Sequence, residues 1–272
     1  MGGAAPVRSG GQPPPGPHAR APSVRDVTDR LLAPAPVPTP SAPSRTPGRI
    51  GWLVVVLTAL AIVAYSAIPY FLDSLPQLAD EEVGLAPHYA AQPAFVQVAL
   101  YAHIAGATVA LLLGPLQFWR GLRERAPRLH RWTGRVYLAG VTLGGIAGIV
   151  LAPFGFAGFV GLFGFGALGV LWLVTAWRAY RSIRRRDVAS HQAWMIRNFA
   201  LTYAAVMLRV WLPLLLVAQI PFGSFEFEAA FANAYAAVPF LCWLPNLIVA
   251  EWLIRRRGLP SYRVTAAVSP RT

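Results

Sequence analysis

His130 and His191 stand in similar text. FWRGLRERAPRLHRWTGR (Phe118 to Arg135) aligns with AYRSIRRRDVASHQAWMIR (Ala179 to Arg197) at an offset of about 61 to 62 residues, and each stretch ends in His, then Trp, then Arg. A neutral imidazole ligates a metal or a haem iron, and a bis-histidine pair must approach from two helices at one depth. The approximate repeat supplies equivalent depths. Arg131, Arg135 and Arg197 follow on the same helix starts, and guanidinium forks suit haem propionates or phosphate groups. These residues therefore read as a cofactor site for haem b, with His130 and His191 as the metal ligands. The competing reading leaves His and Trp at headgroup level and the arginines on anionic lipid.

A second polar set lies within apolar text: His103, Gln117, Arg209 and Glu251. A charged arginine in a bilayer core costs about 2.5 to 3.5 kcal/mol on insertion scales, so Arg209 is expected to face the bundle interior and to have a partner. Neutral His103, Tyr101, Tyr203 and freed backbone carbonyls are the candidates. Pro213 is one of the sources, because its ring displaces the hydrogen bond to the carbonyl of Arg209 itself. An anionic or carbonyl-bearing ligand is the functional alternative to a structural arginine. Glu251, four residues before Arg255, reads as one half of an interfacial helix pair. No residue reads as catalytic: there is no Walker loop, HExxH, GxSxG or pair of catalytic carboxylates. GFGALG (Gly164 to Gly169) matches a dinucleotide pattern, but it lies inside an apolar run with no preceding strand. The single cysteine, Cys242, reads as a small buried apolar residue.

The elements that must position these side chains are apolar helices. The 272 residues are 56% hydrophobic and 13% charged, about half the charged content of an average soluble domain. All 24 basic residues are arginine, and the net charge of +13 is spread between apolar runs. No separate basic module appears, which argues against a nucleic-acid partner. A bilayer core needs about 20 apolar residues per helix. Six segments qualify: Ile50 to Leu72, Phe95 to Trp119, Thr133 to Phe154, Phe159 to Tyr180, Trp194 to Val217 and Phe231 to Ile254.

Arginines cluster before the first segment, between the second and third, between the fourth and fifth, and after the sixth. The alternate loops carry none, and Asp73 to Pro93 holds Asp73, Asp80, Glu81 and Glu82. Because cytoplasmic loops hold the positive charge, both termini are expected in the cytoplasm of a bacterial inner membrane. The chain thus divides into a Pro/Ala/Gly-rich disordered tail (1–49), an all-α bundle of six transmembrane helices (50–257) and a short C-terminal tail (258–272). Val24 to Leu32 has the pattern of a short amphipathic helix within the first tail. Gly140, Gly144 and Gly148, spaced four apart, predict close helix packing.

HIAGATVALLLGPLQF (His103 to Phe118), HRWTGRVY (His130 to Tyr137) and HQAWMIRNFALTYAAVMLRVWLP (His191 to Pro213) resemble a bacterial family of predicted membrane proteins classed as domain of unknown function 2306. The likeness covers about helices 2 to 6. The matching positions include His103, Gly114, Gln117, His130, Arg131, Arg135, Tyr137, His191, Arg197, Asn198 and Arg209. It implies a membrane fold and no catalytic residue. The function expected from the residues is a haem b-binding electron-transfer or respiratory accessory protein. The alternative is a small-molecule transporter or a structural subunit of a membrane complex, with lipid and a membrane-protein partner as its contacts.

Overall fold

A computed structural model describes residues 2, 48–222 and 226–261. The expected N-terminal tail, its short helix Val24 to Leu32 and most of the C-terminal tail lie outside the described residues. Among the described residues twelve α-helices follow in order: α1 (Gly48–Ser66), α2 (Pro69–Leu72), α3 (Leu75–Asp80), α4 (Ala86–Ala90), α5 (Ala94–Phe118), α6 (Arg120–Arg125), α7 (Pro127–Leu151), α8 (Gly158–Arg184), α9 (Val188–Thr202), α10 (Ala204–Gln219), α11 (Phe227–Leu241) and α12 (Leu244–Arg256). Among the described residues there is no strand. Five stretches among the described residues are long and apolar enough to cross a membrane: Ala94–Phe118, Pro127–Phe154, Gly158–Arg184, Val188–Gln219 and Phe227–Arg256. A sixth apolar helix, Ile50–Ser66, is shorter.

Where the boundaries differ from those expected, proline accounts for most of the change. The first apolar run is broken after Ser66, because Pro69 has no N–H for the helical ladder and its ring crowds the preceding turn. Pro245 likewise separates α11 from α12. At the other boundaries the helices begin earlier than apolarity alone suggests. Pro127 sits in the first turn of α7, where a missing N–H costs nothing. Asp187 caps α9 by accepting the Ser190 backbone N–H at 3.0 Å, and the Ser190 side chain first, then that N–H, hold its carboxyl below the usual range. The segment expected as an acidic loop, Asp73 to Pro93, contains α3 and α4. Their Leu75, Leu78 and Ala86 pack on Val96, Leu100 and Leu151.

α5 and α7 pack most closely of all. A Cβ built on Gly106 would lie 2.5 Å from the Gly144 backbone N and 2.6 Å from the Gly140 carbonyl O, so the two backbones touch. In lipid, helix association depends on such close approach. The central core joins Tyr137, Val141, Trp172, Ala176, Leu201 and Val238 from α7, α8, α9 and α11. Leu57, Phe163, Leu214 and Ile248 are exposed, as expected where the surrounding solvent is hydrocarbon.

Candidate histidine site

The geometry of the histidines follows from two helix starts. α7 begins at Pro127 and α9 at Val188, so His130 and His191 are each the fourth residue of their helix. Seven residues further along, Tyr137 and Asn198 meet directly, the phenol donating to Asn198 Oδ1 at 2.5 Å. A step of seven residues is nearly two turns and returns to the same helix face. His130 and His191 therefore stand at matching positions of α7 and α9, about 10 Å nearer the helix starts than the Tyr137–Asn198 contact. His130 lies within electrostatic reach of His191, Arg123 and Arg131. The expectation that His130 precedes its helix is corrected: the proline start carries it into the first turns, on a rigid element.

The rings differ in their partners. His191 Nδ1 lies 2.9 Å from the Ala179 carbonyl O, which can only accept. Nδ1 is therefore the protonated nitrogen, and in the neutral ring Nε2 carries the lone pair. His130 Nδ1 is buried and meets no hydrogen-bond partner among the described residues.

Not every arginine assigned to this site joins it. Arg131 and Arg135 are exposed at the start of α7, with Arg135 5.6 Å from the centre of the Trp132 ring. Arg197 is buried and engaged elsewhere: Nε and Nη2 donate to the two Glu251 carboxylate oxygens at 2.5 and 3.0 Å, and its guanidinium lies over Trp194. This corrects two expectations at once, since Arg197 is committed to an ion pair and the partner of Glu251 is not Arg255. The reason is placement, because buried Arg197 and partly buried Glu251 meet where α9 packs on α12, and attraction grows as the local dielectric falls. They border a groove of about 570 Å³ whose lining includes Trp194, Leu247, Ile248 and Arg255.

Sequence reasoning missed the polar network beneath the histidines. Thr202 Oγ1 accepts from Trp172 Nε1 at 2.9 Å, and Asn198 Nδ2 donates to the Trp172 carbonyl and to Thr175 Oγ1, both at 2.8 Å. A signal was present in Thr175 and Thr202, hydroxyls inside otherwise apolar helices, but neither spacing shows what it faces. Gln117, also buried, donates to Thr133 Oγ1 at 2.9 Å and so braces the end of α5 against the start of α7.

The remaining polar residues gather deeper in the bundle. His103 Nδ1 donates to the Gly144 carbonyl at 2.8 Å and lies within electrostatic reach of Arg209. Arg209 donates from Nε to Ser66 Oγ at 2.7 Å and from Nη1 to the Ala205 carbonyl at 2.9 Å. Tyr203, an expected partner, is bonded instead to Thr58 Oγ1 at 2.8 Å.

Apolar helices of spanning length, arranged around buried polar contacts and carrying exposed hydrophobic side chains, define a multi-pass helical membrane protein. The family model described as "Predicted membrane protein (DUF2306)" matches residues 100–254, and the chain belongs to that family. No curated protein and no solved structure matches it.

Proposed function

We propose that this protein binds haem b between His130 and His191 and serves electron transfer in a bacterial inner membrane. The observation that supports the reading is the shared register of the two histidines on α7 and α9, tied by the Tyr137–Asn198 contact two turns below.

The donor set fits the group. Among the described residues no cluster of three or more His, Cys, Asp or Glu side chains could hold a bare metal ion. A porphyrin supplies four nitrogens of its own and asks the protein only for axial ligands. The Ala179 carbonyl orients His191 and leaves its Nε2 lone pair available, while His130 brings a buried nitrogen without a donor. Arg131 and Arg135, which make no ion pair among the described residues, would meet the propionates. Bound haem iron would supply one-electron chemistry. His130 and His191 would hold it, with His191 oriented by the Ala179 carbonyl.

Protein purified from haem-replete cells is expected to contain stoichiometric haem, lost from both His130→Ala and His191→Ala and retained in Arg185→Ala. A haem-free wild type would remove the proposal.

The reading includes six spans, with α1 and α2 together as the first, and both termini in the cytoplasm. The arginines of α6 and the arginine-rich ends of α8 and α12 then share one side with the start of α7. A reporter fused after Gly258 is expected to read cytoplasmic and one inserted near Glu82 periplasmic; the reverse pattern would reassign the sides. On the cytoplasmic face Arg181 lies over Trp177, Arg184 over Tyr180 and Arg256 over Trp252. Such exposed arginine–aromatic pairs suit the headgroup layer of anionic lipid.

A further inference from the structure

Arg209 carries a full positive charge inside the bundle, and no carboxylate pairs with it among the described residues. The groups within its electrostatic reach are the hydroxyls of Tyr235, Tyr70 and Tyr65, the thiol of Cys242 and the imidazole of His103. All are ordinarily neutral near pH 7. A guanidinium has five N–H donors. Here Nε reaches Ser66 Oγ and Nη1 reaches the Ala205 carbonyl, and no other acceptor meets the group among the described residues. Lipid tails offer no acceptor, so a purely structural arginine at this depth would be expected to fill its donors from the protein.

Several elements of the bundle meet around this charge. Ser66 ends α1, Tyr70 lies on α2, His103 on α5, Arg209 on α10 and Tyr235 on α11, so five elements converge on one locus. Ser66, Tyr70, His103 and Arg209 are half-buried rather than sealed. His103 commits its Nδ1–H to the Gly144 carbonyl, which leaves a neutral ring with its Nε2 lone pair free to accept a hydroxyl hydrogen. The locus therefore offers one cation with unused planar donors, several hydroxyls that can donate, and no carboxylate among the described residues. That is the complement of an oxyanion, and the fork suits a carboxylate or a phosphate.

We propose that Arg209, with His103 and the hydroxyls of Tyr70 and Tyr235, forms an oxyanion-binding site in the half of the membrane domain opposite the arginine-rich loops. The ligand is a carboxylate or phosphate carried either by a small solute or by a lipid headgroup. This site does not depend on the histidine pair at the other end of the bundle.

The test uses the full chain in nanodiscs of zwitterionic phosphatidylcholine, with the thermal unfolding midpoint as readout. Three probes are titrated at constant ionic strength: inorganic phosphate, benzoate, and phosphatidylglycerol introduced into the disc. Wild type is expected to show saturable stabilisation of several degrees by at least one probe, unchanged in Arg185→Ala and lost in Arg209→Gln. A response to phosphate or benzoate assigns a soluble ligand, and a response to phosphatidylglycerol alone assigns a lipid headgroup. No saturable response by wild type to any probe would overturn the proposal, and so would an equal response in Arg209→Gln. Should Arg209→Gln fail to fold, Arg209→Lys keeps the charge without the fork and is expected to weaken the response at least tenfold; an unweakened response in that variant would also overturn it.

Discussion

Gly106→Val is expected to leave little or no folded protein in detergent or membrane. Even the first carbon of the new side chain would fall 2.5 Å from the Gly144 backbone N and 2.6 Å from the Gly140 carbonyl O. No rotamer relieves a clash between a Cβ and a backbone, so α5 and α7 would have to separate along the tightest contact in the bundle. Overpacking inside a core that can adjust costs about 1 to 3 kcal/mol, and here the loss would exceed that range because the helices cannot adjust without giving up their contact. The effect would propagate to His103, whose hydrogen bond to the Gly144 carbonyl crosses the same seam. Gly51→Val meets open space and serves as the control. Yield of monodisperse protein by size-exclusion chromatography is the measurement, and near-normal yield of Gly106→Val would show that the two helices do not touch as described.

The second large effect is expected at the α9–α12 ion pair. The side chain of Arg197 is 5% exposed and that of Glu251 29% exposed. Removing one member of a buried pair strands the other charge and costs about 3 to 5 kcal/mol. Because Glu251 keeps some exposure, Glu251→Ala is placed near the lower end, roughly 3 kcal/mol. Arg255→Ala, which breaks no ion pair among the described residues, should change stability by less than about 0.5 kcal/mol. The double variant Arg197→Met with Glu251→Leu is expected to be more stable than either single charge deletion, since it removes the stranded charge as well as the attraction. Thermal unfolding of wild type, Arg197→Met, Glu251→Ala, Arg255→Ala and the double variant checks the order. Equal stability of Glu251→Ala and Arg255→Ala would mean that the pair is solvated.

How much of this was legible in the sequence depended on whether a feature is local. Apolar runs are local, and the five longest spanning stretches coincide with runs expected from composition. Gly140 and Gly144 were expected at a close helix contact and lie in one. Helix starts were less legible, because a proline in the first turn and an Asp187 cap extend α7 and α9 into polar text that hydropathy reads as loop. That extension matters most at His130, which changes from an interfacial residue to one held on a helix. Pairings across helices were not legible. Glu251 has an arginine four residues away along its own helix and a better one across the groove, and only the packing of α12 on α9 decides between them. The same holds for Arg209, whose bond to Ser66 joins helices 143 residues apart in the chain. That His130 and His191 each stand close to a helix start was readable from the repeat, whereas the Tyr137–Asn198 contact that relates their two helices was not.

Ligation by both histidines is the central claim, and the ligand field of the iron tests it most directly. Electron paramagnetic resonance of the oxidised, purified protein is expected to give a low-spin ferric signal in wild type, because two axial imidazoles impose a strong field. In His130→Ala and in His191→Ala that signal should disappear, with any haem that remains becoming high-spin. A wild type with no haem signal, or a low-spin signal that persists unchanged in both variants, would contradict the account.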